Sequence, residues 1–260
     1  MKTSLKISCA LTLALLAGGA SAAPIYWTDW TGSDLDPGAG FIGSGTITTP
    51  TSTVNVTYTN PQGIGFYQTS GGAYYYSNGT DGPAGTSPYT SAQVDNRPPT
   101  TDIVALQYAG TQSLVFSQAI ANPVFAFVSL NGNGYGFDQD FDILSFGGDD
   151  GNACGYWGCG TSYKNIVTVN GKTEYQLLGT GEPHGTLRFT GTFDTVSWRS
   201  LSNEYWNGFT VGVQETAVAF CTANPTAPEC SPVSVVPEPA SLGLLGFGIA
   251  GLLAARRRRA

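Results

Sequence analysis

The sequence predicts an all-β body, a single β-sandwich of jelly-roll type, between two apolar end segments. Three observations predict it. Short runs of alternating apolar and polar residues fill the chain between Pro24 and Val236. Gly, Asn, Asp and Pro punctuate these runs, as turn chemistry requires. No stretch between them carries the 3.6-residue apolar period of an amphipathic helix.

The chain opens with Met1 to Ala22, which reads as a secretory signal peptide. Lys2 and Lys6 supply its positive start, Ile7 to Ala17 its apolar centre, and Ala20-Ser21-Ala22 the small residues a signal peptidase needs. The expected cut follows Ala22 or the next residue. Cys9 lies inside the apolar centre, which argues against a lipoprotein.

The expected body domain covers residues 23–219. Its strands are read at Thr53 to Thr59, Ile103 to Tyr108, Ser113 to Ser117, Val124 to Leu130, Phe141 to Phe146, Asn165 to Val169, Thr173 to Leu178, Gly185 to Thr190, Thr195 to Arg199 and Gly208 to Val213. Asn170-Gly171 between two of these runs is the strongest hairpin signal. Trp198 and Phe209 sit in regular strands and are expected in the core. Ser77 to Thr101, rich in Gly, Ser, Pro and Asp, reads as a long surface loop. Residues 220–236, with Pro225, Pro228 and Pro232, read as a stiff spacer stapled by one disulfide.

Charge excludes some partners. Residues 23–236 hold seventeen acidic residues against five basic ones (Arg97, Lys164, Lys172, Arg188, Arg199), a net charge near −12. Nucleic acid and anionic lipid surfaces need the opposite balance. Cys154, Cys159, Cys221 and Cys230 survive signal removal. An even count in an exported chain points to disulfides, and short spacing favours Cys154–Cys159 and Cys221–Cys230 among three possible pairings.

Several residues are candidates for chemistry. Asp138, Asp140, Asp142, Asp149 and Asp150 form the densest carboxylate cluster and could hold Ca²⁺, a cation that takes six to eight oxygens. The first four fall at positions 1, 3, 5 and 12 of an EF-hand loop, but Ile143 occupies the position that requires Gly. The competing reading is the wet face of one strand, with Phe137, Phe141 and Ile143 on the other face. His184 is the only histidine and reads as a surface turn residue. No G-x-S-x-G elbow accompanies it. Glu174, Glu182, Glu204 and Glu215 could supply a glycosidase carboxylate pair, but spacing selects none. Gly132, Gly134 and Gly136 read as a turn between strands. The sequence therefore predicts no enzyme.

Aromatic residues crowd three loops: Tyr74-Tyr75-Tyr76, Tyr156-Trp157 between two cysteines, and Tyr205-Trp206. Aromatic faces stack on sugar rings, and a pinned Tyr156-Trp157 loop would be a preorganised platform. The competing reading is burial between sheets.

The tail, residues 237–260, completes the chain. Pro237-Glu238-Pro239 holds the backbone extended. Ser241 to Ala255 carries no charge and spans roughly 22 Å as a helix, short of a ~30 Å hydrocarbon core without its flanks. Arg256, Arg257, Arg258 and Arg259 form a stop-transfer cluster that should remain cytoplasmic. This order over Val236 to Arg259 resembles the PEP-CTERM sorting signal of Gram-negative bacteria. The resemblance implies recognition by an exosortase, cleavage near Pro237-Glu238-Pro239 after a transient stay in the inner membrane, and delivery to the cell surface or an exopolysaccharide matrix. Asn122 to Val213 also resembles body domains of such proteins, which adds no catalytic residue. The expected function is a non-enzymatic surface or matrix protein associated with polysaccharide. The alternatives are a calcium-dependent carbohydrate-binding adhesin and an exported hydrolase.

Overall fold

The computed structural model describes residues 24–80, 84–149 and 151–230. The signal peptide, Asp150 and residues 231–236 of the spacer lie outside the described residues. So does the whole tail: Pro237-Glu238-Pro239, the apolar span Ser241 to Ala255, and the cluster Arg256, Arg257, Arg258 and Arg259.

The strands are β1 Tyr26–Trp27, β2 Asp29–Thr31, β3 Phe41–Thr48, β4 Thr53–Asn60, β5 Phe66–Gln68, β6 Ile103–Leu106, β7 Gly110–Ala121 and β8 Val124–Val128. They continue as β9 Tyr135–Phe137, β10 Phe141–Phe146, β11 Gly160–Val169, β12 Lys172–Gly181, β13 Gly185–Phe189, β14 Thr192–Ser200, β15 Asn207–Val213 and β16 Glu215–Thr216. One seven-stranded sheet runs β10-β13-β8-β15-β6-β5, with β1 on β15. A nine-stranded sheet runs β11-β12-β9-β14-β7-β4-β3-β2, with β16 on β7.

The order has a simple rule. β6 pairs β15, β7 pairs β14, β8 pairs β13 and β9 pairs β12, all antiparallel. Two arms of chain lie side by side, and each arm changes sheet at every strand. The register then fixes what shares an end. Gly208 opposes both Val128 and Ala105, and Gly185 opposes Phe127. In the other sheet Tyr135 opposes Ser200 and Leu177, and Gly110 opposes Ser200. Connections 107–109, 129–134, 182–184 and 201–206 therefore gather at one end of the molecule.

The two sheets share one core. Trp198 (β14) meets Phe125 (β8) at 5.4 Å and Phe209 (β15) at 5.1 Å between ring centroids, both edge to face. Tyr58 (β4) meets Phe209 at 5.3 Å. Trp198 and Phe209 are buried, as expected. The Asn170-Gly171 hairpin forms as expected. Their φ values of 52° and 78° suit a two-residue turn matched to strand twist, and Val169 opposes Lys172 across it.

Three expectations are corrected. Ser77 to Thr101 is irregular but is not simply a surface loop. Tyr89 and Val94, with the preceding Tyr76, are fully buried against the outer side of the seven-stranded sheet. Strand β8 is apolar on both sides: Phe125 and Phe127 enter the main core, while Val124, Ala126 and Val128 need this second cover. Secondly, Gly136 belongs to β9 rather than to a turn. A Cβ there would strike the Glu174 carboxylate at 2.6 Å, so glycine lets Glu174 fold over the strand onto Arg199. Thirdly, the chain across the expected boundary between residues 219 and 220 is helical. Helix α1, Ala217–Ala223, is capped by the Thr216 hydroxyl, which accepts from the Ala219 amide at 3.3 Å. Cys221–Cys230 closes the segment, and Asn122 Nδ2 donates to Glu229 Oε1 at 3.0 Å. The alanines and the cap make a helix too short to show a period in sequence.

Candidate functional site

Among the described residues, Asp138, Asp140, Asp142 and Asp149 of the acidic cluster do not assemble. Asp138 and Asp140 lie in the connection that leaves the nine-stranded sheet after Phe137 and enters the seven-stranded sheet at Phe141. The alternation across Asp138 to Ile143 is thus not one strand. Asp140 bonds Lys164 Nζ at 2.7 Å, and Asp142 lies 3.6 Å from Arg188. Asp149 is exposed on the turn after β10. Among the described residues no three His, Cys, Asp or Glu side chains gather as a metal-binding group.

The aromatic loops do assemble. Cys154 is bonded to Cys159, which pins Tyr156 and Trp157. Trp157 meets Tyr75 at 5.4 Å and Trp206 at 5.0 Å. Tyr75 meets Tyr156 at 5.2 Å and Trp206 at 5.0 Å, and Phe66 backs Trp206 at 4.8 Å. Four separate stretches of chain thus bring their rings to the end where the sheet connections gather. Tyr156 is 37% exposed and Trp157 42%, so neither expected extreme holds: one part of each ring is packed and another faces water. Neighbouring Tyr205 is 86% exposed. Tyr74 is separate, under the Arg97 guanidinium at 5.3 Å from its ring, and Tyr76 is in the core.

Beneath the rings lies a polar set. His184, expected on the surface, is fully buried. The Gly155 backbone covers its ring, and Trp157 lies at 6.3 Å. The Ser129 amide, which can only donate, points at Nδ1 at 3.4 Å, and the Tyr89 hydroxyl sits 3.1 Å from the same nitrogen. Nδ1 is therefore the acceptor and Nε2 carries the proton, without a partner among the described residues. Burial pushes the His184 pKa down to about 4. The sequence pattern Gly-Glu-Pro-His-Gly suggested a turn correctly, but could not show that the disulfide loop lies over it.

The structure also sorts the glutamates. Glu174 is held bidentately by Arg199 at 2.6 and 2.9 Å, which lowers its pKa. Glu215 accepts the Thr49 and Thr51 hydroxyls, each at 2.7 Å. Glu182 and Glu204 remain at the aromatic end. Glu182 accepts from Ser129 Oγ at 2.7 Å and from Asn131 Nδ2. Glu204 Oε2 accepts from Asn207 Nδ2 at 2.8 Å, while its buried Oε1 has no partner among the described residues. Burial, then the Glu182 charge, pushes the Glu204 pKa up to about 7 against the Asn207 hydrogen bond. Ser129, Asn131 and Asn207 carry no sequence signal for this role.

These shifts set a pH dependence. Glu204 keeps a proton in the folded state that the unfolded chain loses between pH 4.5 and about 7, so its contribution falls as pH rises through that window. Asp102, raised mainly by burial, acts likewise from 3.8 to about 6. His184 opposes them between about 4 and 6.5, where only the unfolded chain takes up a proton. Two groups outweigh one. Thermal melts should show stability declining from about pH 5 to about pH 7, with the decline lost in Glu204→Gln, where Asp102 and His184 are left opposing each other. An equal slope in the variant would refute the assignment.

Fold and site together define a two-sheet, all-β body with an aromatic and acidic end. No curated protein and no solved structure matches the chain. Residues 235–259 match the family model of the PEP-CTERM protein-sorting motif, a span that takes in Pro237-Glu238-Pro239 and Arg256, Arg257, Arg258 and Arg259. The chain thus carries a PEP-CTERM sorting motif at residues 235–259, which indicates exosortase-type sorting to the cell surface. No helix among the described residues is long and apolar enough to cross a membrane, and Ser241 to Ala255 lies outside them.

Proposed function

We propose that this is an exported surface or matrix protein of a Gram-negative bacterium, non-enzymatic, whose jelly-roll body binds polysaccharide. Signal peptidase and exosortase act on it; exopolysaccharide is its ligand. The strand pairing β6·β15, β7·β14, β8·β13 and β9·β12 supports the jelly-roll reading, an architecture used by lectin domains. The half-exposed rings of Tyr156 and Trp157, pinned by Cys154–Cys159 and backed by Tyr75 and Trp206, carry the binding reading. Partly packed aromatics lose little freedom when a sugar ring stacks on them.

Titration of the purified full-length chain with oligosaccharides tests this. Trp157→Ala should weaken binding at least tenfold and Tyr156→Ala severalfold, with no reducing ends released. Unchanged affinity in both variants would remove the site, and release of reducing ends would make the protein a hydrolase.

A calcium-dependent form of the same reading uses a different place. Asp149 and Asp95 line one cleft of about 320 Å³ with Asn152 and Ser91. Repeating the titration in Ca²⁺ and in EDTA separates the two: binding lost in EDTA favours the calcium-dependent adhesin.

A further inference from the structure

We propose that the gap left where strand β9 ends is a second saccharide site, and that it takes one neutral hexose unit of a polysaccharide. This extends the polysaccharide-binding reading to another place on the body, away from the rings of Tyr156 and Trp157.

The site is a gap in the nine-stranded sheet. β9 lies between β12 and β14, where Phe137 opposes Tyr175 on one side and Trp198 on the other. The strand stops at Phe137, and the chain leaves for the other sheet through Asp138. Its neighbours run on, β12 to Lys172 and β14 to Thr192, with no strand between them. A cavity of about 230 Å³ remains there. Lys172 and Glu174 line it from β12, Ser197 and Arg199 from β14, and Thr111 from β7. The buried rings of Phe137 and Trp198 line it from the core.

The polar groups of the cavity are held in place. Asn165 Nδ2 donates to Gln176 Oε1 at 3.1 Å, and Gln176 Nε2 donates to Glu174 Oε1 at 2.8 Å. Arg199 closes this row through Nε and Nη2, one to each Glu174 oxygen. The row passes over Gly136, whose missing side chain makes room for the Glu174 carboxylate. Glu174 is buried, so the planar guanidinium is fixed by a carboxylate that cannot swing away. Arg199 Nη1 is left without an acceptor among the described residues, on a side chain that is 38% exposed. A donor fixed before the ligand arrives loses little freedom on binding.

Charge and size say what fits. Lys172 and Asp138 line the same cavity, and among the described residues neither forms an ion pair. With Glu174 and Arg199 they make two positive and two negative groups, so the cavity itself attracts neither a polyanion nor a polycation. The net charge of the body, near −12, repels uronate and sulfated polymers further. A neutral sugar ring matches the rest. Its hydroxyls both donate and accept, which suits Arg199 and Lys172 as donors and Asp138 as acceptor. Its C–H face suits an apolar floor. Drug-sized ligands take roughly 300–1,000 Å³, so this cavity has room for one ring rather than several.

The test is a titration of the full-length chain with neutral hexamers of glucose, mannose and galactose and with an oligogalacturonate. Trp157→Ala disables the aromatic end, and at least one neutral hexamer should still bind that variant. Adding Lys172→Ala and Asp138→Ala should weaken the remaining binding about tenfold, the scale of two lost hydrogen bonds. Ser197→Trp, which fills the gap, should abolish it. Lys172 and Asp138 are exposed and unpaired, so the fold does not depend on them and their variant decides if Ser197→Trp fails to fold. Loss of all binding in Trp157→Ala alone overturns the second site while the aromatic site stands. Remaining binding that ignores the Lys172 and Asp138 changes also overturns it. Tighter binding of oligogalacturonate than of every neutral hexamer overturns the neutral class. Wild-type affinity in Trp157→Ala, lost with the Lys172 and Asp138 changes, overturns the aromatic site and leaves this one. No binding of any probe by the wild type overturns both.

Discussion

Replacing Pro237, Glu238 and Pro239 with alanine should leave the exported chain uncut and held in the inner membrane. Each proline lacks an amide proton and restricts the residue before it. Alanine at all three sites removes both restrictions. Glu238 is also the one acidic residue outside residues 23–236, so its loss removes the only negative charge near the cut. All three residues fall inside the match to the PEP-CTERM protein-sorting motif over residues 235–259, so the effect is expected on sorting. Cell fractionation with detection of the body should show it in the membrane at its uncut mass and missing from the surface. Normal surface delivery of the triple variant would show that sorting does not read these three residues.

Trp198→Ala should destabilise the body by about 3–5 kcal/mol, the range for removing a large buried aromatic. Trp198 is where the two sheets lock. It touches Phe125 and Phe209 from one sheet and Tyr58 and Phe137 from its own. Residues on four surrounding strands would have to move to fill the void, and pleated, hydrogen-bonded strands cannot collapse inward independently. Domains of this kind have total stabilities of about 5–15 kcal/mol, so the loss is a large share of the whole. Denaturant unfolding should show a lowered midpoint with an unchanged slope. Tyr205→Ala, at a ring that is 86% exposed, serves as control and should shift stability by less than about 0.5 kcal/mol. A Trp198 variant as stable as that control would mean the sheets do not share this core.

Much of the fold could be read directly. Thr53 to Thr59 became β4 because its period of two puts Val54, Val56 and Tyr58 on one side, and all three are buried. Asn170-Gly171 announced its hairpin through residues that accept positive φ. β3 escaped notice, since Gly43 and Gly45 dilute the alternation in FIGSGTIT, and β9 is only three residues long. The site was half legible. Three aromatic loops stood out, but not that Tyr75 joins Trp157 and Trp206 while Tyr74 and Tyr76 do not. Four glutamates were candidates, and nothing local separates Glu204 from Glu215.

The division follows the range of the forces involved. Export, the tail motif and the turn at Asn170-Gly171 are properties of a few contiguous residues, so the sequence alone determined them, whereas spacing only favoured the pairs Cys154–Cys159 and Cys221–Cys230 among three and the structure forms them. The burial of His184, the pairing of Asp140 and Asp142 with separate cations, and the meeting of Tyr75 with Trp157 and Trp206 depend on strand register between segments dozens of residues apart. Register is fixed only when both sheets close on one core. A slip of one residue turns every side chain of a strand to its other face.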